Sequence, residues 1–325
     1  MAAAAAKAQT VGVRAMCGFN YRRVPAVSLM RELVASGRLG VIRHVRAVYL
    51  QDWITDPQFP LVWRLQKDKA GSGALGDIGA HIIDLTQFVT GQRISGVSAI
   101  TETFVKERPL PAESSGLAAS ADGAGAAMGQ VTVDDAAVFV ARLDGGGLAT
   151  YEATRFAAGR RNALRVEING SLGSVAFDLE RLNELEFFDA TEPGAEQGFR
   201  RILVTEGDHP YMAAWWPPGH IIGYEHSFTH ELQDFLAAIA TGSDPFADAT
   251  RSGPARAGRG GAVGGAGLVL DGGGAGARPG HRVTRSTGVR RLPVLGREAG
   301  TAGGSCPPVG WPALGPATPT RDFPE

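Results

Sequence analysis

Hydrophobic positions along this chain mix helical and alternating spacings over roughly the first ninety residues and mostly alternate after that, until a last helical stretch over 224–241. Residues 1–9 are alanine-rich and predicted helical, and residues 13–19 read as a short buried strand after a turn at Gly12. Pro25 then opens a helix in which Val27, Leu29, Met30, Leu33 and Val34 fall at helical spacing, with Gly37 as its stop. Residues 41–50 alternate apolar with basic positions, as a half-exposed sheet strand does. A long loop is predicted over 52–72, where Pro57, Pro60, Trp53 and Trp63 interrupt any period, and a helix over 77–89.

From Val97 onward the period is two. Residues 97–104, 133–143, 148–156, 164–169, 174–179, 184–188 and 200–204 all read as strands, joined in part by turn-forming DGGG at 144–147 and NGSLG at 169–173. The prediction is a largely antiparallel meander, interrupted by a mobile loop over 107–130 where Ala, Gly and Ser leave little to pack. A helix over 224–241 closes the domain, with Phe228, Leu232, Phe235, Leu236 and Ile239 on one face.

After about residue 250 the periodicity stops and Gly, Ala, Arg and Pro dominate. Residues 251–325 hold ten arginines, no lysine and four acids, a net of +6, which leaves −7 on residues 1–250 of a chain whose net charge is −1. A disordered basic tail on an acidic body is the pattern of a nucleic-acid arm. An out-of-frame reading of a GC-rich gene gives the same composition, and that origin is the one preferred here, so no nucleic-acid partner is expected. With 325 residues and 44% hydrophobic composition a core is available. No apolar run reaches the roughly 18 residues of a membrane span and the opening lacks a signal-peptide pattern, so a cytoplasmic protein is expected. Cys17 and Cys306 are too isolated to suggest a disulfide framework or a thiolate zinc site.

Two stretches carry chemistry. GSGALG at 71–76 matches a dinucleotide fingerprint, but no strand precedes it and no acid follows at the proper distance, so it is expected to bend the backbone into the next helix. In that helix Asp77, His81 and Asp84 fall at i, i+4 and i+7. An Asp one turn before a His can hold the imidazole and raise its basicity, which suits a general base for an alcohol proton; equally, Asp77 can cap the helix and His81 can be a packing residue. His209, His220, Tyr224, His226, His230 and Glu231 form a second polar cluster. His226 and His230 have the i, i+4 spacing of metal ligands, with Glu225 or Glu231 as a further carboxylate, while sugar contacts backed by Trp215 and Trp216 fit equally well.

A glycine-rich turn leading into D-x-G-x-H-x-x-D, preceded by Trp63-Arg64 and by GFNYRR at 18–23 and followed by INGSLGSVAFDLE from Ile168, resembles the Gfo/Idh/MocA oxidoreductases over about residues 1–248. The resemblance implies an α/β (α+β) fold. Residues 1–24 would be a remnant of a Rossmann domain, and residues 25–250 a substrate and oligomerisation domain with an open, mostly antiparallel sheet flanked by helices. It also implies that Met1 falls inside the helix after the family's E-K-P segment, so that the phosphate loop, the ribose-binding acid and the active-site lysine are missing. By the same resemblance His81 and Asp77 are the catalytic pair, Asn20 and Arg22 lie at the cofactor, and Arg64, His220 and Tyr224 meet the substrate. The cofactor would be NAD or NADP with no resident metal, the substrate a sugar or inositol-like polyol, and the open sheet the surface of a homo-oligomer. The alternatives are a non-catalytic sugar-binding or dimerisation remnant and a metal-dependent hydrolase or isomerase.

Overall fold

The computed structural model describes residues 10–111 and 127–243, together with Ala4, Lys7 and Ala8. The expectations for most of residues 1–9 and for the tail 251–325 therefore lie outside the described residues. Helix α1 (Pro25–Ala35) starts on its proline and stops where Gly37 turns at φ +78°. Strand β1 (Ile42–Leu50) follows, then a connection holding two short helical turns, Trp63–Leu65 and Lys67–Ala70. A π-helical turn, Leu75–Gly79, runs straight into helix α2 (Ala80–Thr90).

Among the described residues there are ten strands, and eight of them form one sheet. In chain order the strands are β2 (Ile94–Glu102), β3 (Glu107–Pro109), β4 (Met128–Gln130), β5 (Ala136–Leu143), β6 (Leu148–Thr154), β7 (Ala163–Gly170), β8 (Gly173–Asp178), β9 (Glu184–Asp189) and β10 (Arg200–Leu203). The large sheet has the order β10-β9-β8-β7-β1-β6-β5-β2 and is antiparallel except where β1 runs parallel to β6. Here the structure departs from a simple meander. Strand β1 enters between β6 and β7, so that Val45 stands opposite both Ala149 and Ile168. Period two fixes which residues share a face and says nothing of which strand lies alongside.

One face of the sheet carries the core. Val27 and Met30 of α1 and Ile82, Leu85 and Val89 of α2 pack on Val45, Ala47, Tyr151, Val166 and Phe177. Each such side chain contributes on the order of 1.5–3 kcal/mol by leaving water. In β5 the alternation is complete: Ala137, Phe139, Ala141 and Leu143 are buried, and Val138 and Val140 point to solvent.

Three expectations change. Residues 13–19 make no strand, and Val13 is 56% exposed. Their apolar run finds no ladder partner among the described residues. The ends of the loop 107–130 are ordered, because β3 pairs with β4 and the buried guanidinium of Arg108 donates to the carbonyls of Ile54, Asp56 and Phe59; residues 112–126 lie outside the described part. Helix α3 (Glu225–Thr241) buries Ser227, His230, Glu231 and Ala238 and leaves Phe228, Leu232, Leu236 and Ile239 about half exposed. It docks on the short turn Asn20–Arg23 through polar groups, so its apolar stripe is the face left over.

Candidate active site

The entry to α2 is built around Asp134. Its carboxylate accepts the N–H groups of Gly73 and Leu75, both at 2.7 Å, and its carbonyl accepts that of Ala74 at 2.9 Å. A Cβ on Gly73 would sit 1.7 Å from the Asp134 carbonyl oxygen, so this glycine is required by close approach. Three N–H groups of the GSGALG turn, those of Gly73, Ala74 and Leu75, are thus spent on Asp134 and not turned toward a phosphate. Gly73→Ala should lower stability by at least about 2 kcal/mol, an overpacking cost measurable by urea unfolding.

The π-helical turn changes how the acids relate to His81. Asp77 stands in that turn, before the regular α-helix, and its carboxylate lies 3.5 Å from Nη1 of Arg155. Asp84 is held by Arg22, whose Nε donates to it at 2.7 Å and whose Nη2 makes a second bond. The imidazole itself has a different environment from the one expected. Its Nδ1 is buried without a hydrogen-bond partner, so Asp77 does not hold the ring by a hydrogen bond. Aromatic edges hold it instead, with ring centroids of Phe19 at 5.6 Å, Tyr21 at 4.9 Å and Tyr49 at 5.9 Å.

Burial pushes the His81 pKa down, against the smaller pull of Asp84 and then Asp77. The unfolded chain therefore takes up a proton at this residue more readily than the folded one, and stability falls as pH drops through about 6.5. His81→Phe keeps the aromatic packing and removes this linkage. The fall in urea midpoint from pH 7.5 to 5.5 should be smaller in His81→Phe than in the wild type.

Around this histidine lies an open cavity of about 530 Å³. Of the residues singled out in the sequence, Asn20, Arg64, Asp77, His81 and Tyr224 line it, and Tyr21, Tyr49, Gln51, Trp53, Phe59 and Arg161 are among the others on its wall. Arg22 and His220 are not on its wall. The Arg22 guanidinium is committed to Asp84, while His220 sits exposed against the Pro217 carbonyl beside Trp216. Asn20 reaches the cavity, but its amide donates to Ser227 at 2.8 Å and so serves first to dock the turn on α3. The side chains missed from sequence include Tyr49 near the end of β1 and Gln51 and Trp53 just beyond it, all three on the cavity wall.

The second histidine cluster does not converge. His230 places Nδ1 on the Arg23 carbonyl at 2.9 Å and accepts from the Trp215 indole at Nε2, 2.7 Å away. His226 accepts the Gly223 N–H at Nδ1. Both rings are structural, and among the described residues no group of three or more His, Cys, Asp or Glu is placed to hold a metal ion.

Residues 27–176 match the GFO/IDH/MocA C-terminal domain. The chain carries the C-terminal domain of the Gfo/Idh/MocA family. Levoglucosan dehydrogenase from Pseudarthrobacter phenanthrenivorans is 42% identical over 237 residues, 72% of this chain and 60% of that protein. A crystal structure of an oxidoreductase domain protein from Kribbella flavida aligns with a TM-score of 0.69 at 63% identity, covering 77% of this chain and 63% of the other. A levoglucosan dehydrogenase structure in complex with NADH and levoglucosan aligns with a TM-score of 0.65 at 40% identity, over 72% and 58% of the two chains. This chain spans about 60% of the length of each of these three proteins. Among the described residues no helix is long and apolar enough to cross a membrane.

Proposed function

We propose that this chain is the substrate-side part of an NAD(P)-dependent oxidoreductase that moves hydride between a secondary alcohol of a neutral sugar or polyol and a nicotinamide cofactor. The observation that carries this reading is the orphaned, buried Nδ1 of His81 in an imidazole kept neutral by burial, at the wall of an open cavity lined by aromatic and polar side chains. A neutral imidazole can take the hydroxyl proton as the carbon loses hydride, and the nicotinamide, when bound, supplies the hydride acceptor. Asp77 faces the same cavity as a carboxylate held by Arg155 and offers an acceptor to a second hydroxyl. Arg64, stacked over Trp63 at 4.4 Å, offers donors, and Tyr224 closes one side. Asn20 and Arg22 act in this reading by fixing the turn that carries Tyr21.

Residues 25–250 serve here as the substrate and oligomerisation domain. The described residues fit the alcohol better than the dinucleotide, because the one glycine turn resembling a phosphate loop spends its N–H groups on Asp134. The proposal therefore assigns the dinucleotide to a segment of the kind that makes up the remaining length of the relatives. Calorimetry on the 325-residue chain should show millimolar or tighter binding of levoglucosan and no saturable micromolar binding of NAD or NADP. Tight NAD binding by this chain, or no sugar binding at all, would overturn the assignment.

A second copy of the chain is the proposed partner of the open sheet face, where Ile100, Val138, Val140 and Leu148 are each more than half exposed. Sedimentation velocity should show a dimer or larger assembly that Val140→Glu reduces to monomer. A wild-type monomer at micromolar concentration would remove the oligomer from the proposal.

A further inference from the structure

One corner of the cavity contains a chain of hydrogen bonds whose direction is fixed from one end. The Trp53 indole N–H can only donate, and it donates to Gln51 Oε1 at 3.1 Å. Gln51 must therefore present its amide nitrogen at the other end, and that nitrogen donates to Asn162 Oδ1 at 2.8 Å. The same Asn162 oxygen lies 2.7 Å from the Tyr49 hydroxyl. Since an amide oxygen only accepts, Tyr49 spends its one proton there. The Tyr21 hydroxyl, 2.6 Å from that of Tyr49, must then be the donor of their pair, and Tyr21 has no proton left. The Tyr224 hydroxyl lies 3.4 Å from that of Tyr21 and, with the Tyr21 proton spent, is the donor of this long and weak pair, so Tyr21 is left with acceptor capacity alone.

We propose that Trp53, acting through Gln51 and Asn162, fixes this chain so that Tyr21 faces the cavity as a hydrogen-bond acceptor and selects ligands that bring a donating hydroxyl to it. The inference rests on the sugar-alcohol reading and narrows it. A ligand presenting an ether, a carbonyl or a fluorine at this corner meets an oxygen with nothing to donate, and two acceptors face each other at the cost of a buried unpaired group. Asn162 and Gln51 are positioning residues for this selection. The chain also ends at an amide oxygen held by two donors, so it is a polarity filter and gives the proton taken by His81 no exit by this route.

The test has a ligand-free arm and a ligand arm, both on the 325-residue chain. NMR on a sample with labelled tyrosine should place the Tyr49 hydroxyl proton toward Asn162 and the Tyr21 hydroxyl proton toward Tyr49. A Tyr49 proton pointing at Tyr21 overturns the inference whatever binds. In calorimetry, levoglucosan should bind at least about tenfold more tightly than the one of its monodeoxyfluoro analogues whose fluorine meets Tyr21. Asn162→Asp keeps an acceptor and should preserve that ratio. Asn162→Leu removes it, lets the tyrosines reverse, and should shrink the ratio to within about threefold, a change that mere loosening of the site would not confine to one ligand position. Should Asn162→Leu fail to fold, Trp53→Phe frees the same chain by removing the indole N–H. A full ratio retained in Asn162→Leu or Trp53→Phe overturns the role of the chain. No sugar binding by the wild type overturns the sugar reading and the ligand half of the inference together, while the hydroxyl directions still decide the polarity.

Discussion

Substituting His81 by asparagine is expected to lower kcat by about 10²–10⁴, the range a positioned general base contributes. The measurement needs turnover, so the substitution belongs in a chimera joining this chain to the segment by which the levoglucosan dehydrogenase exceeds it. KM for the sugar should change no more than a few-fold, because the aromatic residues on the cavity wall, Tyr21, Tyr49 and Trp53, are untouched. The acid limb of the kcat/KM profile should also flatten. In the parent chimera, activity falls as pH drops and the imidazole takes up a proton; burial places that fall below the ordinary histidine value of about 6.5. Asparagine has no proton to gain. Activity retained within tenfold would remove His81 from proton transfer and return it to the packing role that its aromatic neighbours also support.

The sequence reached the site through one motif and misread the geometry inside it. His81 and Asp77 were legible because D-x-G-x-H-x-x-D follows a glycine turn, and both do face one cavity. Their relation was not legible. A regular helix spaces i and i+4 one above the other, but the turn is π-helical here, and each acid found an arginine distant in sequence: Arg155 for Asp77 and Arg22 for Asp84. No local period reports such partners. Strand alternation located every long strand of the sheet, yet it missed the seating of β1 between β6 and β7, because pairing depends on contacts more than a hundred residues apart. The stripe on α3 misled for a related reason. Amphipathicity shows that two faces differ, and here the polar face is buried because Arg23 and Asn20 bring matching charge and amide groups to it.

Arg155→Met should destabilise the chain by about 3–5 kcal/mol, the cost of removing one partner from a buried charge cluster. Arg155 is wholly buried just after β6 and meets four groups. It donates to the Asp134 carbonyl at 3.0 Å, pairs with Asp77 at 3.5 Å and with Asp135 at 4.0 Å, and lies over the Trp53 ring at 5.5 Å. Asp135 is the costly neighbour. It is fully buried, its Oδ1 has no hydrogen-bond partner, and desolvation already pushes its pKa up against two backbone N–H groups and the two arginines Arg155 and Arg108. Methionine fills most of the volume and supplies no charge, so Asp135 must then bind a proton or remain ionised in apolar surroundings. Against a typical total of about 5–15 kcal/mol, the loss takes about a fifth or more of the folded state's margin. Arg155→Lys should recover only part of it, since one ammonium cannot reach both carboxylates and the carbonyl in the planar arrangement a guanidinium allows. The coupling can be isolated. If Asp77 draws its position from Arg155, then Asp77→Asn should cost less in the Arg155→Met background than in the wild type, because its partner is already gone. Strict additivity in urea unfolding, or a cost below about 1 kcal/mol for Arg155→Met, would mean that desolvation had cancelled the pairing and that Asp77 is set by the glycine turn alone.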